Sequence, residues 1–108
     1  MIICTMVLTL SEKDRGRVVS SLLPVVGSTR VQPGCRACSI LSDVEDPRVL
    51  VFWEEWDTRE DLDRHFRSPD YRLVLAAMEL SLDPPRATFD TVQARSGLEM
   101  VEAARTPG

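Results

Sequence analysis

Two segments of this chain, Ile2 to Leu10 and Arg48 to Trp56, alternate as strands do but leave no plainly polar face. In the first, Ile2, Cys4, Met6 and Leu8 oppose Ile3, Thr5, Val7 and Thr9; in the second, Val49, Val51 and Trp53 oppose Leu50, Phe52, Glu54 and Trp56. Successive side chains of a strand point to opposite sides of the sheet, so both sides of this sheet need cover. A chain of 108 residues is long enough for one core and too short for a second domain. The constraint is therefore one sheet, helices against one side, and something else against the other.

The remaining elements read in order. After Ser11, whose pairing with Asp14 is a weakened form of the capping box, Val18, Val19, Leu22, Val25 and Val26 recur at helical spacing. Pro24 is expected to kink or shorten that helix and Gly27 to end it. Val31 to Gly34 is a turn, Cys35 to Leu41 a second strand, and Asp43 to Arg48 a hairpin loop. Thr58 caps the next helix, whose inner stripe is Leu62 and Phe66 with His65 beside them. Ser68-Pro69 is expected to open a third helix from Tyr71 to Leu82, wide in its apolar arc and ended by Pro84-Pro85. Arg86 to Ala94 is a fourth strand, and the tail from Gly97 to Arg105 suits a short helix. We divide the chain into a domain over residues 1–96 and a tail over 97–108. The order β-α-β-β-α-α-β is that of an α+β, ferredoxin-like split βαβ fold, with helices on one face of a four-stranded antiparallel sheet.

Four strands spaced about 4.8 Å apart and about 17 Å long present roughly 300 Å² on the face without helices. Monomers seldom leave so large an apolar patch in water, so a homodimer through that face is expected. Seventeen acids against thirteen scattered bases argue against nucleic acid as a partner. The apolar start is about half a membrane span and runs into Glu12, Lys13 and Asp14; we read it as a strand, with no membrane partner, and the protein as cytoplasmic. Cys35 and Cys38 have CxxC spacing, but on a strand residues three apart should face opposite sides. A redox thiol also needs a helix N-terminus, and no second pair completes a metal site, so a structural role is expected.

The stretch from Val49 to Met78 holds both tryptophans, the only histidine, the only tyrosine and two of the three phenylalanines. Within it Glu54-x-Trp56, Thr58-x-Glu60-x-Leu62, His65-Phe66 and Ser68-Pro69-x-Tyr71 resemble the antibiotic biosynthesis monooxygenase domain, as does Arg30-x-x-Pro33-Gly34-Cys35 upstream. The resemblance reaches to about Val92. It implies a dimeric α+β barrel with a pocket between sheet and helices. Known members include cofactor-free oxidases of phenols and quinols, heme degraders and many proteins without an assigned activity. Both named catalytic patterns use an asparagine, and this chain contains none; Phe52 stands where the polyketide-oxidising pattern would want it.

His65 is the one side chain of the type that titrates near neutrality, so it is the candidate base for deprotonating a phenolic substrate. Its structural alternative is a bond to a carbonyl or acid at a helix end. Phe52, Phe66 and Met78 are candidate walls, and Trp56 and Tyr71 candidate pocket residues that could equally be core or rim. Glu54 is a further candidate for substrate binding and, if buried, needs a partner such as Arg72 or Arg86. Two functions follow. One is a monooxygenase that acts without metal, flavin or other cofactor on a small aromatic or quinol-type compound. The other is a non-catalytic dimeric module for an apolar ligand or partner protein; heme degradation is a third and weaker alternative.

Overall fold

A computed structural model describes residues 1–108. The elements run β1 (Ile2–Thr9), α1 (Glu12–Arg30), β2 (Cys35–Ser42), β3 (Val49–Trp56), α2 (Arg59–Phe66), α3 (Tyr71–Glu79), β4 (Arg86–Thr91) and α4 (Glu99–Arg105). All strand pairs are antiparallel, in the spatial order β2-β3-β1-β4. This is the α+β, ferredoxin-like arrangement, with the second helix broken into α2 and α3. No helix is long and apolar enough to cross a membrane.

Alternation sorts the sheet into two faces. Ile2, Cys4, Met6 and Leu8 of β1, with Leu50, Phe52, Glu54 and Trp56 of β3, are buried beneath the helices. From above, α1 supplies Val18, Leu22, Val25, Val26 and Thr29, and α3 supplies Tyr71, Val74 and Ala77. Each large apolar side chain so buried is worth about 1.5–3 kcal/mol, which is what drives the layers together. A smaller cluster of Ile2, Cys4, Trp56 and Leu62 seats α2. On the opposite face Ile3, Val7, Val49, Val51 and Trp53 are only half-buried, because no helix of the chain lies over them. Glu55 shares that face yet is buried, paired with Arg95 from the segment after β4. Beyond Arg95 the tail leaves the body: α4 buries none of its residues, and the radius of gyration is 16.0 Å, against about 13 Å for a compact chain of this length.

Four expectations are corrected. First, α1 runs unbroken through Pro24 and Gly27 to Arg30. Both residues lie on the exposed side, where the carbonyl that Pro24 cannot serve meets water, while the packing of Leu22, Val25, Val26 and Thr29 holds the inner side. Second, the Ser68 hydroxyl donates to the His65 carbonyl and so closes α2; it does not cap α3. Third, α3 stops at Glu79 because the chain turns extended to reach β1, where the Leu82 amide donates to the Thr9 carbonyl; β4 likewise ends at Thr91. Fourth, the register shifts between Cys35 and Ala37. Arg36 is the extra residue of a bulge, so Cys35 opposite Trp56 and Cys38 opposite Glu54 both face the helices.

Gly34 is the one residue with a positive φ, 83°, and a Cβ there would lie 2.1 Å from Asp61 Oδ2 and 2.6 Å from its Cβ. The turn before β2 is thereby pressed against the first turn of α2, with the Asp57 amide donating to the Gly34 carbonyl. Gly34→Ala is expected to destabilise the fold by about 1–3 kcal/mol, from the left-handed backbone and the displaced Asp61 together. A urea midpoint equal to that of the unmodified chain would contradict this account.

Candidate functional site

The site starts from one rung of the sheet. Cys38, Glu54, Cys4 and Phe89 stand side by side on β2, β3, β1 and β4, all on the helix-facing side. Glu54 is the charged member, and it is 2 % exposed. A carboxylate so placed needs donors close by. It finds one on β3 itself, where Trp56 Nε1 donates to Glu54 Oε2 at 3.3 Å, while His65 Nε2 of α2 lies 2.7 Å from the same oxygen. The second contact is close but off the N–H direction, so it is a polar approach and not an aligned hydrogen bond. Arg72 and Arg86, the partners expected from sequence, are elsewhere. Arg72 bonds the Pro69 carbonyl, and Arg86 is exposed opposite Val7 on the other face.

His65 is wholly enclosed. Its ring stacks on Trp56, with centroids 4.8 Å apart and planes 28° apart, and meets Tyr71 edge-on at 5.2 Å. Its other nitrogen, Nδ1, is 3.2 Å from Gln32 Oε1. Gln32 is the functional residue that sequence reasoning missed. It sits in the turn before β2, 33 residues from its partner, and its only signal is being the one amide side chain in that turn.

Two hollows adjoin this cluster and share Phe89 as a wall. The inner one, about 10 Å³, touches Cys4, Met6, Phe52, Glu54, Tyr71 and Phe89, and has room for about one water. The outer one, about 200 Å³, is bounded by Ile2, Arg59, Leu62, Phe66, Phe89 and Thr91. Phe66 links them, edge to face with Tyr71 at 5.1 Å and with Phe89 at 5.7 Å. Of the candidate residues, then, Phe52, Glu54 and Tyr71 border the inner hollow and Phe66 the outer one. His65 and Trp56 border neither and stand behind Glu54. Met78 packs into the main core beneath α1 and α3.

The thiols and the phenol near Glu54 hold their protons. Burial, reinforced by the nearby Glu54 charge, pushes the Cys4, Cys38 and Tyr71 side chains up to about 12, and raises Cys35 as well. Cys38 is buried in the main core, and Cys35 packs against it between sheet and helices. The chemistry this arrangement can support is proton exchange at Glu54, backed by His65, within aromatic and aliphatic walls.

A family model described as antibiotic biosynthesis monooxygenase matches residues 1–77. Among solved structures, one of an antibiotic biosynthesis monooxygenase is 24 % identical, with a TM-score of 0.78 over 87 % of this chain and 100 % of that one. Rv0793 of Mycobacterium tuberculosis is 22 % identical, with a TM-score of 0.79 over 89 % and 98 %. A conserved protein of Methanosarcina mazei is 18 % identical, with a TM-score of 0.78 over 82 % and 89 %. At these identities the likeness establishes the fold. Comparison with curated protein sequences finds no match.

Tyr71 is desolvated in this site. Its phenol is held above the ordinary 10, up to about 12, so the folded state keeps a proton that the unfolded chain gives up first. The stability tied to that proton is complete below pH 10 and is lost as the pH climbs from 10 towards 12, on the order of 1–2 kcal/mol. Tyr71→Phe removes this share. Urea midpoints measured from about pH 8 to 11 should fall less steeply for the variant, and parallel curves would show that Tyr71 is not desolvated.

Proposed function

Because the chain belongs to the antibiotic biosynthesis monooxygenase family, we propose that it is a cofactor-independent monooxygenase-like enzyme acting on a small aromatic or quinol-type substrate in the crevice between sheet and helices. The observation that carries this reading is the Glu54 carboxylate: buried, 2.7 Å from His65, and the only acid bordering the inner hollow. An anthrone-like substrate has an acidic phenol or a ring CH₂ whose proton must leave before dioxygen can react. Glu54 takes that proton, and His65, held on its far side by Gln32, stabilises the protonated pair. His65 therefore acts through Glu54. The substrate anion passes an electron to dioxygen, and the radical and superoxide combine at the ring carbon. One oxygen atom remains as a carbonyl, and the other leaves as water with the two hydrogens of the CH₂. Four electrons move from carbon to oxygen, and no further reductant is needed. Apolar walls such as Phe52, Phe66 and Phe89 keep water from the radical pair.

The non-catalytic reading draws support from a different observation, the enclosure of His65 and the small inner hollow, which admits no ring unless Phe89 moves. An outer hollow of about 200 Å³ is below the roughly 300–1,000 Å³ usual for drug-sized ligands, which favours one or two rings over a tetrapyrrole.

Oxygen uptake with a panel of hydroquinones and anthrones separates the readings. The enzyme reading expects uptake that falls about 10²–10⁴-fold in Glu54→Gln and also falls in His65→Gln, with both variants folded by circular dichroism. No uptake across the panel would favour the binding module.

A second copy of the chain is the proposed partner, packed against the face that bears Ile3, Val7, Val51 and Trp53. The tail leaves from that side, since Arg95 pairs with Glu55, and its Leu98, Met100 and Val101 are bare as well. One partner could cover both surfaces. Sedimentation at micromolar concentration should give a dimer, and Trp53→Glu should give a monomer. A monomer in the unmodified chain would overturn the assignment.

A further inference from the structure

We infer that Arg59 selects ligands bearing an anionic group, so that the outer hollow takes a one- or two-ring aromatic acid. This rests on the reading of that hollow as the binding site. Five of its six bounding residues, Ile2, Leu62, Phe66, Phe89 and Thr91, are uncharged, and Arg59 is the sixth.

Arg59 is poorly placed as a helix residue. It is the first residue of α2, at the positive end of the helix dipole, where the neighbouring Glu60 and Asp61 are favoured and a cation is not. Its bond to Asp63, Nε to Oδ1 at 2.7 Å, runs from base to acid along the chain, the weaker of the two orientations for a pair four residues apart. An exposed pair of this kind contributes little to stability in any case. Helix stability therefore does not account for an arginine here.

The pair does leave the guanidinium usefully set. Asp63 occupies Nε, while both terminal nitrogens have no protein partner and the side chain is 76 % exposed. Those nitrogens present the two parallel donors that match a carboxylate. Deeper in the hollow, the Phe66 and Phe89 rings stand edge to face, a wall suited to a planar ring. Glu54 lies beyond Phe89, so an acid is repelled from the inner end and drawn to the outer one. The charge distribution thus sets the ligand's orientation, with the anion at Arg59 and the uncharged end against Phe89, on the side towards Glu54. The protein's net charge of −4 gives anions no general attraction, so any preference for them must arise locally.

The test is an amide chemical-shift titration with 2-naphthoate and with its methyl ester, a neutral probe of nearly the same shape. The acid should bind about tenfold tighter at low salt, and the difference should shrink as salt is raised. In Arg59→Gln the acid should fall to the affinity of the ester, with the ester unchanged. In Asp63→Asn, which frees Nε, the acid should bind more tightly. If both probes shift Phe66 and Phe89 equally, or if Arg59→Gln leaves the acid unaffected, the anion preference is wrong and the binding site stands. If neither probe shifts the residues around the hollow, the site itself is wrong.

Discussion

A carboxylate withdrawn from water is the constraint around which this small domain is arranged. Left without donors, Glu54 would cost several kcal/mol, a large share of the stability a chain of this size has. Its hydrogen bond comes from Trp56, two residues along the same strand, and the His65 ring on α2 stands against the same oxygen. The ring of His65 is pinned in turn by Trp56 below, Tyr71 beside it and Gln32 on its far nitrogen. The position of α2 over the sheet is thus set by a polar contact as much as by Leu62 in its apolar seat. Gly34 allows the approach by letting the turn that carries Gln32 lie against Asp61.

That arrangement gives one helix of eight residues two tasks. The inner side of α2 carries His65 to the buried carboxylate and Phe66 to the aromatic wall. Its first turn carries Arg59 to the mouth of the outer hollow. Any shift of α2 along the sheet would move the polar centre and the entrance together. The family fold supplies the space between sheet and helices, whereas this chain contains no asparagine to match the family's asparagine-based patterns. Phe52 stands where one of those patterns would want its asparagine, and Trp56 and His65 gather instead around the Glu54 carboxylate.

Much of the fold is legible in the sequence because it depends on period. Alternation along β1 and β3 reveals their faces, the spacing from Val18 to Val26 marks the buried stripe of α1, and Thr58 marks the start of α2, where its hydroxyl accepts from the Asp61 amide. What stays hidden depends on contacts distant in sequence. Pro24 and Gly27 read as breakers because local propensity cannot weigh the tertiary packing that holds the helix on either side of them. Gln32 looks like an ordinary turn residue because its partner lies in another element. General electrostatics assigns Glu54 an arginine partner, whereas its donor is an indole and the ring beside it an imidazole. Arg36 conceals a change of phase, since a single inserted residue puts Cys35 and Cys38 on the same face while the spacing alone puts them on opposite ones.

The same inserted residue has an effect on how copies of the chain can meet. β2 lies at the free margin of the sheet, where unpaired amides and carbonyls invite another strand to add on. A kink at Arg36 breaks the regular ladder there, and the Arg30 guanidinium already occupies the Cys38 carbonyl at 2.9 Å. A row of docking groups so interrupted is a poor template for end-on growth into fibres. That margin thereby offers little to a second chain, and the broad faces of the sheet are the larger apolar surfaces.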